Sequence, residues 1–249
     1  MTLAALATGV AGTSVAIADT TTTTSQSTTT TSTTTTVRPT TTTTVRPQRP
    51  GPTLRLGDHG PAVLTLQRRL AAQGYWIGGP NGIFGDSTLQ AVYALQKLAS
   101  LPRDGVAGRA TQLALIRGVK GHPRSKSGTL VEINLKRDVL LIVRNGRLAA
   151  TLNTSTGGGY TYVSQGYTSV ATTPVGVFHI LRQINGMDVA PLGQLWRPKF
   201  FYSGFAIHGS PYVPAEPASH GCVRLSFEAM NWVWASNQMP IGMKVWIYN

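Results

Sequence analysis

The sequence predicts a multidomain protein in which a small three-helix domain precedes a mainly β domain, built as a sandwich or an open barrel. Apolar residues recur at helical spacing between residues 54 and 118, whereas from about residue 130 they alternate with polar residues at a period of two. Ahead of both segments, 18 of the 25 residues from 20 to 44 are Thr. This tract has too few apolar side chains to fold, which leaves about 200 residues to build a core.

The charge balance is basic, and the chain has one cysteine. The 249 residues include 22 Lys and Arg against 9 Asp and Glu, a net charge of +13. A single cysteine excludes an intramolecular disulfide framework and a thiolate-rich zinc ribbon. The basic residues are spread along the chain without a run of five, which argues against a nucleic-acid-binding arm. Such a diffuse charge suits other polyanions, including anionic cell-wall polymers and membranes.

The N-terminal 53 residues predict export followed by a spacer. Residues 3–18 are apolar and end in Ala16-Ile17-Ala18, which is typical of a secretory signal with its cleavage site. No Lys or Arg precedes this segment, so residues 1–18 are either a signal peptide or a truncated N-terminal anchor that tethers the protein to the membrane. Residues 19–53 are expected to form a disordered Thr-rich linker. We therefore expect an exported protein of the cell wall or periplasmic space, free or membrane-anchored.

The predicted helical domain, residues 54–118, contains an internal repeat. Residues 81–88 (Asn-Gly-Ile-Phe-Gly-Asp-Ser-Thr) recur 23 residues later as residues 104–111 (Asp-Gly-Val-Ala-Gly-Arg-Ala-Thr). The Asn-Gly and Asp-Gly pairs favour tight turns, and the polar residues after them can begin a helix. The first predicted helix starts at Pro61. The positions at helical spacing in the three predicted helices are Val63, Leu66 and Leu70, then Leu89, Val92 and Gln96, then Leu113 and Ile116.

These residues resemble the small peptidoglycan-binding domain found on many cell-wall enzymes. The matching pieces are Leu-Gly-Asp-His-Gly at 56–60, Leu66-Gln67, the first repeat at 81–88, and Asp104-Gly105. The resemblance implies that this domain binds wall glycan or stem peptide. Most of its Gly, Leu and Gln positions build turns and core, so we assign no binding residue to it.

The β domain is predicted from six strands and one helix. Strands are expected at residues 130–135, 139–143 and 148–152, and Asn145-Gly146 predicts a hairpin turn between the last two. Further strands are expected at 176–180, 204–208 and 243–248, with a helix across 227–236. These elements predict a mainly β domain, a sandwich or an open barrel, with one or two helices.

Chemistry-bearing side chains concentrate in one stretch, where His208, His220 and Cys222 fall within 15 residues. A thiol is a weak nucleophile until it loses its proton, and a neighbouring imidazolium can lower its pKa. Gly221 lets the backbone approach a substrate closely, so that adjacent amides can donate to an oxyanion. Simpler interpretations are a buried cysteine, or a zinc site of these three side chains with Glu216 as the nearest acid. His220 could also serve only to shape the cysteine loop.

Residues 130–248 resemble the catalytic domain of the L,D-transpeptidases, which cross-link bacterial peptidoglycan, and we expect this domain to span 127–249. The family signature is a His, a variable loop and Ser-His-Gly-Cys, present here as His208 and residues 219–222. Ser-Thr-Gly at 155–157 and Thr-Pro-Val-Gly-Val-Phe at 173–178 also agree. The ten residues between His208 and Ser219 form a short loop for the family, and Arg224 stands where some members have Asn.

The resemblance implies a cysteine acyltransferase mechanism. The Cys222 thiolate would attack the carbonyl of the stem-peptide diamino acid, release D-Ala, and pass the resulting acyl group to an acceptor amine as an L,D crosslink. His208 would be the proton donor and acceptor, oriented by a backbone carbonyl, and amides around Gly221 and Cys222 would hold the oxyanion. His220 belongs to the same motif. Ser219 and Arg224 are candidates for substrate binding, although Arg224 could equally anchor the loop.

Two other functions remain open. The same thioester could be hydrolysed, which would make the protein an L,D-carboxypeptidase or endopeptidase. Alternatively, the chain is a non-catalytic wall-binding protein with an inert cysteine; a lowered thiol pKa would favour catalysis, and a normal or raised one the scaffold. In each case we expect a monomer that binds peptidoglycan stem peptides and glycan, with no nucleic-acid partner, no metal and no cofactor.

Overall fold

The structure is a computed structural model that describes residues 49–249. The predicted signal or anchor (1–18) and residues 19–48 of the predicted linker lie outside the described residues. Residues 49–53, the end of that linker, contact the helical segment, since the Gly51 N–H donates to Gln112 Oε1 at 2.6 Å. Within residues 49–249, no helix combines the length and apolar character needed to cross a membrane.

Residues 54–118 contain helices α1 (Pro61–Ala72), α2 (Asp86–Ala99) and α3 (Arg109–Ile116). Helix α1 begins at the predicted Pro61, where the missing N–H would have no intrahelical acceptor in any case. Its apolar face is the predicted one, because Val63, Leu66 and Leu70 are all buried. The amphipathic spacing therefore identified the face that packs against the rest of the molecule.

Two buried glutamines explain the internal repeat. Gln67 of α1 makes five hydrogen bonds with residues 81–88, including donation from Nε2 to Thr88 Oγ1 at 2.9 Å. Gln96 of α2 makes four with residues 104–111 in the same pattern, including donation to Thr111 Oγ1 at 3.2 Å. Each turn thus has its polar groups satisfied by the helix that precedes it, and the sequence repeat is a repeat of this hydrogen-bonded unit.

The remainder of the chain is mainly β, and its elements form three sheets. A five-stranded sheet has the order β3-β2-β1-β12-β6, a second sheet has the order β11-β10-β9-β7 with β8 added to β9, and β4 pairs with β5 alone. The strands are β1 (Leu130–Asn134), β2 (Val139–Arg144), β3 (Arg147–Asn153), β4 (Thr161–Ser164), β5 (Tyr167–Val170), β6 (Gly176–His179), β7 (Arg182–Gln183), β8 (Met187–Ala190), β9 (Gly193–Tyr202), β10 (Phe205–Ser210), β11 (Val223–Ser226) and β12 (Lys244–Tyr248); helix α4 (Phe227–Ala235) follows β11.

The two larger sheets share one hydrophobic core with α4. Buried residues of the first sheet, such as Ile133 and Val245, belong to the same cluster as Ile207 of β10, Leu225 of β11 and Met230 of α4. Both sheets are mixed, because β1 pairs with β12 in parallel and β10 pairs with β11 in parallel. The parallel pair β10–β11 is the one that bears on function, since the predicted histidine and cysteine lie on it or directly before it.

The hairpin between β2 and β3 has the predicted turn. Asn145 and Gly146 have φ of 51° and 72°, the left-handed values that a two-residue hairpin turn requires. A Cβ on Gly146 would also lie 2.2 Å from the Lys126 carbonyl oxygen, so only glycine fits this position.

Several strands were not predicted from the sequence. The longest, β9, contains Pro198 and a positive φ of 50° at Arg197, features that ordinarily argue against a strand interior. Strands β4 and β5 lack a buried face, as none of their residues is fully buried, so apolar alternation could not reveal them.

The helical segment packs directly on the β segment, and the described residues 49–249 lie within one compact unit. Leu130, Leu141 and Val143 belong to the same hydrophobic cluster as core residues of α1–α3. At the same interface, Lys97 of α2 and Asp138 form a buried ion pair with Nζ 2.9 Å from Oδ2. Part of the first sheet thus shares a hydrophobic cluster with the helices, and a buried ion pair joins the two segments.

We expect Gln67→Met to lower the free energy of unfolding by about 2–4 kcal/mol, because several polar groups of the 81–88 turn would lose their buried partner. Urea denaturation followed by circular dichroism measures this change. The matched control is Gln73→Met, since the half-exposed Gln73 side chain makes no hydrogen bond within residues 49–249, and we expect its effect to stay within about 0.5 kcal/mol. Equal stability of the two variants would contradict this role of Gln67.

Candidate active site

A cleft of about 650 Å³ contains five of the six predicted site residues. His208, Ser219, His220, Cys222 and Arg224 all line it, whereas Gly221 does not. The lining is drawn from β10, the turn that precedes β11, and the β4–β5 and β8–β9 hairpins. Residues far apart in the sequence therefore converge on one concave surface large enough for a peptide segment.

Cys222 lies at the end of the turn formed by residues 219–222 (the cysteine turn), directly before β11. Its side chain is half-buried and packs against the small apolar cluster of Leu195, Phe200 and Ala206. The sulfur also lies 3.9 Å from the Gly204 carbonyl oxygen. Since Cys222 lines the cleft as well, the thiol has one apolar side and one side open to a ligand. It is not sealed among aliphatic side chains, as an inert core cysteine would be.

His208 is held on β10 with a defined ring orientation. The side chain is 5% exposed, and Nδ1 lies 2.9 Å from the Gly209 carbonyl oxygen. Because a carbonyl can only accept, Nδ1 carries the proton of the neutral ring, and Nε2 is left with a lone pair. The structure thus provides the backbone carbonyl that we expected to orient this histidine.

The electrostatics of the pair differ from the sequence-based expectation. Burial raises the pKa of the Cys222 thiol, although the Ala206 N–H and the Arg224 charge both act to lower it. Burial also lowers the pKa of His208 to about 4. The expected imidazolium that would lower the thiol pKa is therefore absent at neutral pH, and that expectation is wrong for the free protein. At neutral pH the cleft therefore contains a neutral imidazole and a thiol that keeps its proton.

The Ser219–Gly221 turn is closed by its own hydrogen bonds. Ser219 Oγ donates to the Cys222 carbonyl oxygen at 2.6 Å and accepts from the Gly221 N–H at 2.9 Å. The Gly221 amide, predicted as an oxyanion donor, is therefore engaged inside the turn, and so is the hydroxyl predicted to bind substrate. The neighbouring Cys222 N–H has no hydrogen-bond acceptor within residues 49–249 and is the amide left to donate.

Gly221 is needed for the shape of this turn. Its φ is +136°, and a Cβ there would lie 2.5 Å from Phe205 Cε1 and 2.8 Å from the Thr172 carbonyl oxygen. A side chain at this position would push the turn away from β10. Gly221 thus acts by letting the cysteine turn approach its neighbours closely.

His220 contacts aromatic side chains of the β4–β5 hairpin. Its ring centroid is 5.4 Å from that of Tyr160 and 4.7 Å from that of Tyr162, both in edge-on arrangements. This geometry connects the cysteine turn to the hairpin that forms one wall of the cleft. It fits the interpretation in which His220 shapes the loop and the wall.

Arg224 supplies the charge of the cleft. No Asp or Glu is among the residues that line the cleft, and the Arg224 guanidinium makes no hydrogen bond within residues 49–249. Its positive charge acts on the titration of His208, His220 and Cys222 alike, which places it near all three side chains. An unpaired guanidinium in a cleft without acids favours the carboxylate-binding role over the loop-anchoring one.

The structure does not support the zinc alternative. Within residues 49–249, no three His, Cys, Asp or Glu side chains form a group that could hold a metal ion. Glu216, the acid considered for such a site, pairs instead with Arg103 of the helical segment.

Sequence reasoning did not assign roles to the residues beneath the cysteine turn. Thr173 Oγ1 donates to the Gly221 carbonyl oxygen at 2.8 Å and accepts from the Gly157 N–H at 2.9 Å. Residues 154–158 pair with Ser219 and Arg224 through isolated bridges. The only signal for them was that 155–157 and 173–178 agreed with the family resemblance.

Comparisons with known proteins agree with this geometry. Residues 128–247 match the L,D-transpeptidase catalytic domain family, and residues 59–115 match a peptidoglycan binding domain family. The crystal structure of an L,D-transpeptidase from Xylanimonas cellulosilytica is 49% identical, with a TM-score of 0.76 over 81% of this chain and 100% of that chain.

Two curated proteins share a shorter segment. The N-acetylmuramoyl-L-alanine amidase CwlL of Bacillus licheniformis is 41% identical over 81 residues, which is 31% of this chain and 22% of that protein. A spore cortex-lytic enzyme of Bacillus cereus is 38% identical over 64 residues, 26% of this chain and 25% of that protein. The chain therefore spans no more than a quarter of either protein.

The pKa directions predict how alkylation of Cys222 depends on pH. Because the thiol pKa is raised, the rate of iodoacetamide alkylation should still be rising above pH 9. Because His208 is neutral above about pH 4, no inflection should occur near pH 6.5. Intact-mass kinetics measure this profile on the one cysteine of the chain. The urea-unfolded protein is the control with an unshifted thiol, and a plateau below pH 7 in the folded protein would contradict the neutral pair.

Proposed function

Because the chain belongs to the L,D-transpeptidase family, we propose that its cleft forms L,D crosslinks between peptidoglycan stem peptides, with Cys222 as the nucleophile. The observation that carries this proposal is the meeting of a half-buried thiol, a neutral imidazole with a free Nε2 and an unpaired guanidinium in one cleft. The raised pKa of the Cys222 thiol is what the non-catalytic alternative predicts, so the proposal rests on the composition of the cleft and not on the pKa.

The first half-reaction moves the proton as the bond forms. His208 Nε2 takes the thiol proton while the sulfur attacks the carbonyl carbon of the stem-peptide diamino acid. The C–N bond to the terminal D-Ala then breaks, and the imidazolium returns the proton to the departing amine. The products are a thioester on Cys222 and free D-Ala, with His208 neutral again.

Burial of both groups suits this general-base route. A neutral thiol and a neutral imidazole are the stable pair in an apolar wall, so charge develops only when the substrate carbonyl is present to accept the electron pair. The Cys222 N–H, which has no acceptor within residues 49–249, would donate to the oxyanion of the tetrahedral intermediate.

The second half-reaction uses an acceptor amine. A side-chain amine of a second stem attacks the thioester carbonyl, His208 takes the amine proton, and the thiol leaves with that proton restored. Arg224 would bind a carboxylate of the donor stem, because it is the one charged side chain on the wall of the cleft. The helical segment would bind wall glycan or stem peptide, and the protein would act as an exported monomer in the cell wall.

We expect a carbapenem to acylate Cys222 in wild-type protein and to leave Cys222→Ala unlabelled, because a strained lactam carbonyl is attacked by the same thiol. Intact-mass spectrometry measures one adduct per chain. Incubation with purified muropeptides then separates the two enzymatic possibilities: cross-linked dimers support transpeptidation, and trimmed monomers alone support the carboxypeptidase. A correctly folded wild-type protein that is neither labelled nor active would support the non-catalytic wall-binding alternative.

His208→Ala should fold and lose about 10²- to 10⁴-fold in the rate of Cys222 acylation, since the general base is removed. Mass spectrometry at successive times gives the rate. His179→Ala is the matched control, because His179 is an exposed histidine of β6 that does not line the cleft. An unchanged rate in His208→Ala would move the role of base to His220.

A further inference from the structure

Helix α2 of the helical segment contacts Thr154, in a segment that pairs with the cysteine turn. We propose that Lys97 of α2 is a positioning residue for catalysis, which fixes the cysteine turn through Asp138 and residues 154–156. The inference rests on the proposed function, because positioning matters only if Cys222 reacts. It assigns the helical segment a part in building the active site, in addition to any binding of the cell wall.

The Lys97 ammonium is fully buried and fully hydrogen-bonded. Nζ donates to the Asp138 carboxylate (Oδ2, 2.9 Å), to the Asp138 carbonyl oxygen (2.9 Å) and to the Thr154 carbonyl oxygen (2.7 Å). Its side chain is 0% exposed. Three donors matched to three acceptors fix the position of residue 154 relative to α2.

Asp138 extends this network to the next residues of the same segment. Its Oδ1 accepts from the Thr156 N–H at 3.1 Å and from Thr156 Oγ1 at 2.8 Å. Lys97 and Asp138 therefore hold both ends of residues 154–156 from one side. Thr154, Ser155 and Thr156 are all buried, so the segment has little freedom to shift.

The opposite side of residues 154–156 contacts the cysteine turn. The Arg224 N–H donates to the Ser155 carbonyl oxygen at 3.0 Å, and Thr154 Oγ1 donates to the Arg224 carbonyl oxygen at 2.8 Å. The Ser219 N–H donates to the Thr156 carbonyl oxygen at 2.9 Å. Ser219 precedes Cys222 in the chain and Arg224 follows it. One segment, residues 154–156, therefore lies between the buried ion pair and the backbone around Cys222.

Further contacts from the helical segment support the same proposal. Gln90 Nε2 donates to the Val213 carbonyl oxygen at 3.2 Å, and Arg103 donates to the Ala215 carbonyl oxygen at 3.2 Å and pairs with Glu216. These residues belong to the loop between His208 and Ser219. Helix α2 and the residues that follow it thus contact both the loop between His208 and Ser219 and residues 154–156, which pair with the cysteine turn.

The test separates positioning from stability by measuring a rate constant and an amplitude. In Lys97→Met, the limiting rate constant of carbapenem acylation should fall about 10- to 100-fold, while the apparent dissociation constant changes less than about 3-fold, because the cleft lining is untouched. Amide hydrogen exchange at 219–224 should accelerate in parallel. A merely destabilised protein would instead show a smaller labelled fraction with the wild-type rate constant.

The matched control is Arg144→Met. Arg144 likewise joins two segments, since it donates to the Gln238 carbonyl oxygen at 2.8 Å and to Gln238 Oε1 at 2.7 Å, but neither residue touches the cysteine turn or residues 154–156. We expect its acylation rate constant to match that of the wild type. Thermal melts of both variants measure their losses of stability, so that the two rate constants can be compared at a known difference in stability.

If Lys97→Met does not fold because Asp138 is left unpaired, the double variant Lys97→Met/Asp138→Asn decides the question. It removes both buried charges, and Asn tolerates the positive φ of 52° at residue 138. The same loss of rate constant is expected, as the contact with Thr154 is gone. A folded variant with the wild-type rate constant and wild-type exchange overturns the proposal. Failure of the wild type itself to be acylated would overturn the proposed function instead.

Discussion

The candidate site depends on the parallel pairing of β10 with β11. This register sets Ile207 opposite Val223 and His208 opposite Arg224. Two parallel strands cannot be joined by a tight hairpin and need a longer connection. Here residues 211–222 connect β10, which carries His208, to β11, which begins directly after Cys222. The sheet register thus fixes the position of His208 relative to Arg224, which lies two residues after Cys222.

Burial determines the protonation states of the Cys222 thiol and the His208 imidazole. Burial raises the pKa of Cys222 and lowers that of His208, so both stay neutral at pH 7. In the proposed mechanism, the proton leaves the neutral thiol only as the sulfur attacks a bound carbonyl. The unpaired Arg224 guanidinium and the free Cys222 N–H are the groups able to stabilise the negative charge that appears in that step.

Much of the fold was predictable because local rules and packing agree there. Helix α1 begins at Pro61, the Asn145-Gly146 turn has the expected positive φ values, and α4 begins at Phe227 as expected. The strands that escaped prediction are those in which packing overrides local preference. Strand β9 tolerates Pro198 in its interior, and β4 has no buried face to produce alternation.

For the site, the sequence by itself determined which residue types are present: one thiol, two histidines and a glycine within 15 residues, together with an arginine two residues beyond the cysteine. Tertiary structure decided what each can do. It engaged the Gly221 amide in the turn, made the Cys222 thiol and the His208 imidazole neutral by burial, and brought Lys97, 125 residues before the cysteine, into contact with Thr154. The spacing of residues along a chain indicates which reactions their side chains could perform. Their pKa values and hydrogen-bond partners depend on neighbouring groups that only packing brings together.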